Sequence, residues 1–262
     1  MSPYRVYFLK SFKKNAAYRS AAWIHVIASM VTIWIQVSIW TALIGGGSAD
    51  GITRDQMVTY AILNSAMYAA LMTGLYSEVD GRLRSGDIGI DLLRPARYPL
   101  MLLADQLGRA AYRLLFMVIP TVALAALAFG FSPPASLAAG IGYVVALPLA
   151  IAISYAIGYL IALLAFWFLT TFHFSWAIGA LITVFSGSVL PLWFFPGRWE
   201  IVARALPFQF LGFVPAATWM GELAGADLIL TWLLGAAWAV AILALTTWLW
   251  TRAITRLVVQ GG

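Results

Sequence analysis

Residues 114–197 contain no Asp, Glu, Lys or Arg, and that single feature removes nearly every fold that must live in water. A soluble domain carries about a quarter of its residues as charged side chains. This chain of 262 residues carries 10%, against 63% hydrophobic and 15% aromatic. Its mean hydropathy is +0.89, and several apolar runs exceed 18 residues, the length that reads as a membrane-spanning helix. A soluble enzyme, a disordered tail and a disulfide-stapled secreted domain are all excluded. Cysteine is absent, which removes thiol nucleophiles, disulfides and thiolate metal sites.

Six spans are expected, at about 21–44, 57–77, 112–131, 136–167, 174–194 and 228–250. Residues 1–20 precede them, and 21–262 form a single transmembrane domain. The first span, at 24 residues, is too long for the apolar core of a signal peptide and is read as a retained helix. Arg5, Lys10, Lys13, Lys14 and Arg19 precede it. Arg82, Arg84, Arg94, Arg97, Arg109 and Arg113 lie between spans two and three, and Arg252 and Arg256 follow span six. One side therefore holds thirteen of the 16 basic residues, leaving Arg54, Arg198 and Arg204 on the other. The positive-inside rule puts both termini in the cytoplasm, in agreement with an even number of spans. The net charge of +6 records this topology and does not point to nucleic acid.

The charge-free stretch also bears on mechanism. A proton- or sodium-coupled carrier keeps an ionisable group at mid-membrane, and spans three to five offer none but His173, placed in a short cytoplasmic turn; His25 lies near the cytoplasmic end of span one. Both read as interfacial packing residues, and the sequence assigns neither a role. An ion-coupled carrier or channel is the alternative reading. The fourth span would reach about 50 Å at 1.5 Å per residue, so it projects or kinks, with Pro148 as the natural kink and Gly158 and Ala162 as a small-xxx-small contact.

Three segments outside the spans are informative. Residues 1–20 form an amphipathic helix, with Ser2 as N-cap and Pro3 at its first position. Tyr4, Phe8, Leu9, Phe12 and Ala16 share one face, and Lys10, Lys13 and Lys14 the other. It is either a topogenic charge cluster or an interfacial brace. Between spans two and three, the loop 78–98 mixes Glu78, Asp80, Asp87 and Asp91 with Arg82, Arg84 and Arg94 and with aliphatic side chains. Ser85 or Asp87 can cap a short helix there, Ile88 and Leu92 fall on one face, and Pro95 stops it. Residues 191–226 are too apolar for an aqueous loop and too broken by Pro191, Pro196, Pro207 and Pro215 for a span. They read as re-entrant helices with Trp193, Trp199 and Trp219 at the interface.

No nucleotide-binding loop is present: the only lysines are Lys10, Lys13 and Lys14, none after a glycine. The chain shows no HExxH or GxSxG pattern either, so no catalytic residues and no metal site are expected in it.

The loop Ser85-Gly86-Asp87-Ile88-Gly89-Ile90-Asp91-Leu92-Leu93-Arg94-Pro95 resembles the coupling-helix region of ABC-2 type permeases, in the bacterial branch carrying S-G-x-I-x-x-D-L-L-R-P. The stretch Leu190 to Pro196, the L-P-F-Q of Leu206 to Gln209 and the six spans are similar as well. The resemblance implies an all-α polytopic membrane protein of the bacterial cytoplasmic membrane. It would be a permease subunit, the same or a related second permease completing the transporter, with membrane lipid around it and no nucleic acid. Separate ATP-binding cassette subunits would bind ATP and Mg, so this chain would need no cofactor. Glu78, Arg82, Gly86, Asp87, Ile88, Leu92, Leu93, Arg94 and Pro95 would couple it to the ATPase, with Ile88, Leu92 and Leu93 filling the ATPase groove. Gln36, Trp40, Asn64, Tyr68, Phe185 and Ser188 would line the substrate path, and Trp193, Phe194, Phe195, Pro207 and Phe208 would form the outer gate. Export of an amphipathic or hydrophobic substrate by alternating access is the expected activity.

Overall fold

The structure is a computed structural model that describes residues 2–17, 19–45, 48–49, 51–71, 74–94, 96–168 and 171–255. It is helical apart from a hairpin of two-residue strands, β1 (Ser48–Ala49) and β2 (Ile52–Thr53). The helices are α1 (Pro3–Ala16), α2 (Arg19–Ile44), α3 (Arg54–Leu71), α4 (Leu75–Arg84), α5 (Asp87–Leu92), α6 (Tyr98–Arg113), α7 (Ile119–Phe129), α8 (Leu137–Leu164), α9 (Phe172–Phe185), α10 (Arg198–Ala205), α11 (Phe213–Met220) and α12 (Gly225–Ile254).

Among the described residues, five stretches are long and apolar enough to cross a membrane: Ser20–Ile44, Arg54–Arg84, Tyr98–Phe129, Leu137–Leu164 and Gly225–Ile254. The fifth expected span, 174–194, is not one of them. Its helix α9 has 14 residues, about 21 Å at 1.5 Å per residue, short of a hydrocarbon core of about 30 Å. The apolar run continues past it, but Ser186, Gly187 and Ser188 break the helix, with Gly187 at φ +77°.

The third span is longer than its apolar run. It begins at Tyr98 rather than 112 and extends through a π-helical turn, Leu114–Val118, into α7. Its first half carries Asp105, Arg109 and Arg113, charges that disguised it as loop. This half is amphipathic and lies along α1. Gly108 makes that approach possible, because a Cβ there would sit 2.3 Å from the Phe8 carbonyl oxygen and 3.0 Å from Ser11 Cβ.

The packed face of α1 is accordingly Tyr4, Tyr7, Phe8, Ser11, Phe12 and Asn15. Leu9 is exposed, a shift from the expected face. Phe12 meets the Tyr112 ring edge-on at 6.4 Å. Ser2 occupies the N-cap position but makes no capping bond with its side chain, and Pro3 opens the helix as expected.

At the centre, α8 packs on α12, α11 and α4. Ser136 caps it by accepting from the Ala139 amide at 3.1 Å, and the helix runs on through Pro148. Ala150, Ile153, Ala156, Ile157 and Ile161 on α8 join Tyr60 and Met67 of α3 and Phe210 and Phe213 in the main core. A second core, built from Leu75, Val79, Ile88, Tyr98, Leu102, Tyr159 and Leu163, seats α4 and α5.

Candidate functional site: a cavity between a charged lever and an aromatic plug

The charged loop folds into two short helices joined at Gly86, whose φ of +78° turns α4 into α5. That turn is nearly free of strain only for glycine. It brings Asp91 back against Arg82, nine residues earlier, and the two form a short ion pair. Arg94 reaches the other oxygen of Asp91 at 3.3 Å. The Asp91 side chain is 4% exposed, so two guanidiniums balance a carboxylate that is almost dry. Arg82 also bonds Glu78 at 2.9 Å, and the second Glu78 oxygen pairs with Arg109 on α6. Arg109 in turn holds Asp105 through its Nε at 2.9 Å. Arg84 and Asp80 pair one turn apart at 3.1 Å.

The chain of ion pairs reaches α1 as well. The Tyr7 hydroxyl accepts from Arg94 at 2.8 Å, and the Tyr4 hydroxyl accepts from the Arg97 amide at 3.3 Å. Four helices, α1, α4, α5 and α6, are thus tied at one end of the molecule. A buried carboxylate with its partners in place is costly to break, since removing one side leaves the other charge unpaired.

The expected coupling residues divide under this geometry. Glu78, Arg82 and Arg94 belong to the cluster. Asp87 is exposed and, among the described residues, its carboxylate bonds only the Ser85 hydroxyl, at 2.8 Å. Ile88, expected to face a partner, is 1% exposed and sits in this chain's own core. Leu92 is half-buried beside it. The outward face of α5 consists of Ile90, 60% exposed, and Leu93 at its end, 86% exposed. Pro95 lies outside the described residues. Asp91, Asp105, Arg109 and Tyr7 were not singled out by sequence. The i,i+4 pair Asp105–Arg109 was legible, but nothing in the sequence marks Asp91 as the buried acid.

Above α4 lies a cavity of about 780 Å3, walled by α2, α3, α8, α9 and the π-helical turn. Of the residues expected to line a substrate path, Gln36, Asn64, Tyr68 and Ser188 stand in the wall of this cavity. Trp40 and Phe185 do not. Trp40 is buried and stacks on Phe194 at 5.6 Å, and Phe185 leans on Phe195 at 6.3 Å. The wall also takes residues that the sequence did not offer, among them Ser154 and Gly158 of α8 and Arg113; His25 lines it too. His173 is in the first turn of α9, its ring against Phe172. Gly74 and Tyr76, where α4 begins, are part of the wall, so the helix that carries Glu78 and Arg82 also borders the cavity.

At the Gln36 end the cavity abuts a plug of aromatic rings. Gln36 donates to the Ser188 carbonyl at 3.0 Å. Trp193 is turned inward against Tyr60 at 5.4 Å and Phe213 at 5.3 Å, rather than out to a membrane interface, while Trp199 is exposed. The Tyr60 hydroxyl donates to the Gly187 carbonyl at 2.7 Å, and the Phe213 amide donates to the Ser186 carbonyl at 2.8 Å. Non-helical backbone at depth in a membrane needs this kind of protein cover. Pro207 is buried where it opens a 3-10 turn, Pro207–Leu211, with Phe208 half-buried. The turn's most buried ring is Phe210, which packs so closely on α12 that a Cβ at Gly235 would lie 2.6 Å from it.

The cavity thus lies between the helix that carries the ion-paired cluster and the aromatic plug. No curated protein matches the sequence. A family model described as ABC-2 family transporter protein matches residues 26–261, nearly the whole chain. The chain therefore belongs to the ABC-2 transporter family, as a membrane component of such a transporter.

Proposed function

We propose that this chain is one permease half of a bacterial exporter, driven by separate ATP-binding cassette subunits that dock on α5. The observation that carries the reading is the two-sidedness of that helix. Ile88, Asp91 and Leu92 anchor it inward, while Ile90 and Leu93 stand in the open. An exposed apolar pair on a helix otherwise surrounded by charges fits a partner's groove better than it fits water.

The ion pairs give docking a consequence. Closure of the ATPases on ATP and Mg pushes α5, and the Arg82–Asp91 pair passes the displacement to α4. Glu78–Arg109 passes it to α6, and Arg94–Tyr7 to α1. Since α4 begins in the cavity wall at Gly74 and Tyr76, movement of the lever reshapes the cavity. Alternating access then requires two packings that the docked subunits bias. In the state described, the aromatic plug closes the Gln36 end.

In this reading both termini are cytoplasmic and the cluster lies on that side, where the arginines concentrate. The sixth crossing is completed by α9 together with residues 186–194, and a second permease chain stands beside this one. The cargo is amphipathic or hydrophobic.

The experiment is purification of the tagged chain from its host in mild detergent, with mass spectrometry of what accompanies it and an assay of ATP hydrolysis. A stoichiometric P-loop subunit is expected, lost from the Ile90→Asp/Leu93→Asp variant, which buries charge in an apolar groove only when docked. A chain that purifies alone and still moves a solute in liposomes overturns the proposal.

A further inference from the structure

The polar part of the cavity wall is made of hydroxyl groups. No Asp or Glu lines it, and its one permanent cation, Arg113, has a partner of its own and keeps Nε and a terminal nitrogen buried. The carboxamides of Gln36 and Asn64 are engaged too. They donate to the carbonyls of Ser188 at 3.0 Å and Tyr60 at 3.2 Å, and their oxygens are buried. His25 apart, what remains is hydroxyl. Thr32, Tyr68, Ser175 and Thr183 of the wall are exposed. Ser29, Ser65, Ser154 and Ser188 are half-buried in it. The placement is selective. In the 28 residues of α8 the single aliphatic hydroxyl is Ser154, and in α9 the two are Ser175 and Thr183; all three stand in the wall. On α2, His25, Ser29, Thr32 and Gln36 follow i, i+4, i+7 spacing along the face that lines the cavity.

Most of these hydroxyl protons are already committed to backbone. Thr32 donates to the Ala28 carbonyl at 3.1 Å, Ser175 to that of Phe172 at 2.7 Å and Thr183 to that of Gly179 at 2.9 Å. Ser154 donates across to the Leu71 carbonyl of α3 at 2.7 Å, and Ser188 to the Thr183 carbonyl at 3.2 Å. A carbonyl only accepts, so each of these hydroxyls gives its proton to the protein and has oxygen lone pairs left for a ligand. Ser29, Ser65 and Tyr68 can turn either way. The wall is therefore rich in acceptors and poor in donors. The rest of it is apolar, with Met117, Ile157, Ile161, Ile182, Val189 and Leu211. A volume of about 780 Å3 lies within the usual range of small-molecule sites.

We propose that the cavity selects an uncharged amphiphile whose head group carries several hydroxyl protons, a glycoside or polyol on an apolar tail. The head donates to the lone pairs that Thr32, Ser154, Ser175 and Thr183 have left, and the tail lies on the isoleucines of α8 and α9. A head with acceptors only sets lone pair against lone pair. An ionic head of either sign gives up its hydration to a wall that lines the space with no counter-charge of its own to offer. The assignment of this ligand as cargo rests on the permease reading; its binding does not.

The test is native mass spectrometry of the full chain released from an amine-oxide detergent, which has no hydroxyl. The chain is titrated with decyl glucoside and, separately, with its tetra-O-methyl ether, which keeps the tail and ring and loses every donor. The glucoside should bind at least about tenfold more tightly, a difference of about 1.4 kcal/mol. Methylation makes the ether more apolar, so a merely greasy cavity prefers the ether. The Thr32→Val/Thr183→Val variant keeps side-chain shape at two exposed positions and should reduce the preference below about threefold. Equal binding, or preference for the ether, by the unaltered protein overturns the proposal without recourse to any variant. So does tighter binding of decyl phosphate or decyltrimethylammonium than of the glucoside, and so does a folded double variant that keeps the full preference. A glycolipid that co-purifies with the chain and is depleted in the variant makes the ligand a lipid. A site empty on purification and filled by the glucoside makes it a soluble amphiphile, and both results support hydroxyl recognition. ATPase co-purification is read separately, so failure of the permease reading and failure of this one are distinguishable.

Discussion

Replacing Asp91 by asparagine should unlock α5 while leaving its shape intact. The carboxylate is 4% exposed and bonds Arg82, whose side chain is 33% exposed. Breaking a fully buried pair costs about 3–5 kcal/mol. Arg82 is partly in solvent and keeps Glu78 as a second partner, so the expected loss is smaller, about 2 kcal/mol. Because the loss falls on the α4–α5 contact, it appears as local opening rather than global unfolding. Amide hydrogen exchange over residues 85–94, read by mass spectrometry on the protein in detergent, should accelerate about thirtyfold, tenfold for each 1.4 kcal/mol. The amides of Gly89 and Arg94, which bond the Gly86 and Asp91 carbonyls at 3.1 and 3.3 Å, report directly. Asp87→Asn is the comparison: its carboxylate is exposed and bonded only to Ser85, so exchange should change little. Equal exchange in the two variants, or none in Asp91→Asn, would refute the idea that the buried pair holds the lever.

The α1–α6 contact should fail in Gly108→Ala, since the new Cβ meets the Phe8 carbonyl oxygen. Overpacking of about 1–3 kcal/mol is expected, seen as faster proteolytic release of residues 1–17. In the plug, Tyr60→Phe should cost about 1 kcal/mol by removing the bond to Gly187. Gly187→Ala should cost more, about 2–3 kcal/mol, because it adds positive-φ strain to a clash 2.7 Å from Tyr60 Oη. Thermal denaturation followed by size-exclusion chromatography ranks the two, and the reverse order would contradict the packing described. Ile88→Ala should destabilise by about 2–4 kcal/mol, while Leu93→Ala changes stability by less than about 0.5 kcal/mol. If Leu93→Ala is the more damaging, the inward face of α5 has been misassigned.

Much of this was legible in the sequence where the physics is local. Apolar runs located five membrane-length helices, and the family resemblance pointed to Glu78 and Arg82, which the structure pairs one turn apart. The loop's mixture of charges and aliphatics announced a short helix. What failed was orientation. In α5, Ile88, Ile90, Leu92 and Leu93 put apolar side chains on both sides of six residues, and periodicity cannot say which side the chain itself covers. Residues 98–113 looked like a loop because hydropathy registers Asp105, Arg109 and Arg113 without knowing that α1 and a chain of ion pairs would cover them. At 174–194 the apolar run is continuous, but Ser186-Gly187-Ser188 end α9 at Phe185, so the structure has a shorter helix where one of full membrane length was expected. Four of the six expected path residues line the cavity, because polar groups on otherwise apolar helices are visible in one dimension. Trp40 and Phe185 were assigned by the same logic, but aromatic rings serve packing as readily as lining.

The division of labour on α5 also bears on how such transporters diverge. Everything that holds the helix in place lies on its Ile88–Asp91–Leu92 side, so mutation can rewrite Ile90 and Leu93 without loss of folding. If a partner docks on α5 as proposed, selection for a new partner, or against a wrong one, can then act on two side chains alone. A duplicated copy of this chain could change its allegiance in a few steps, while its membrane part and cargo stayed as they were.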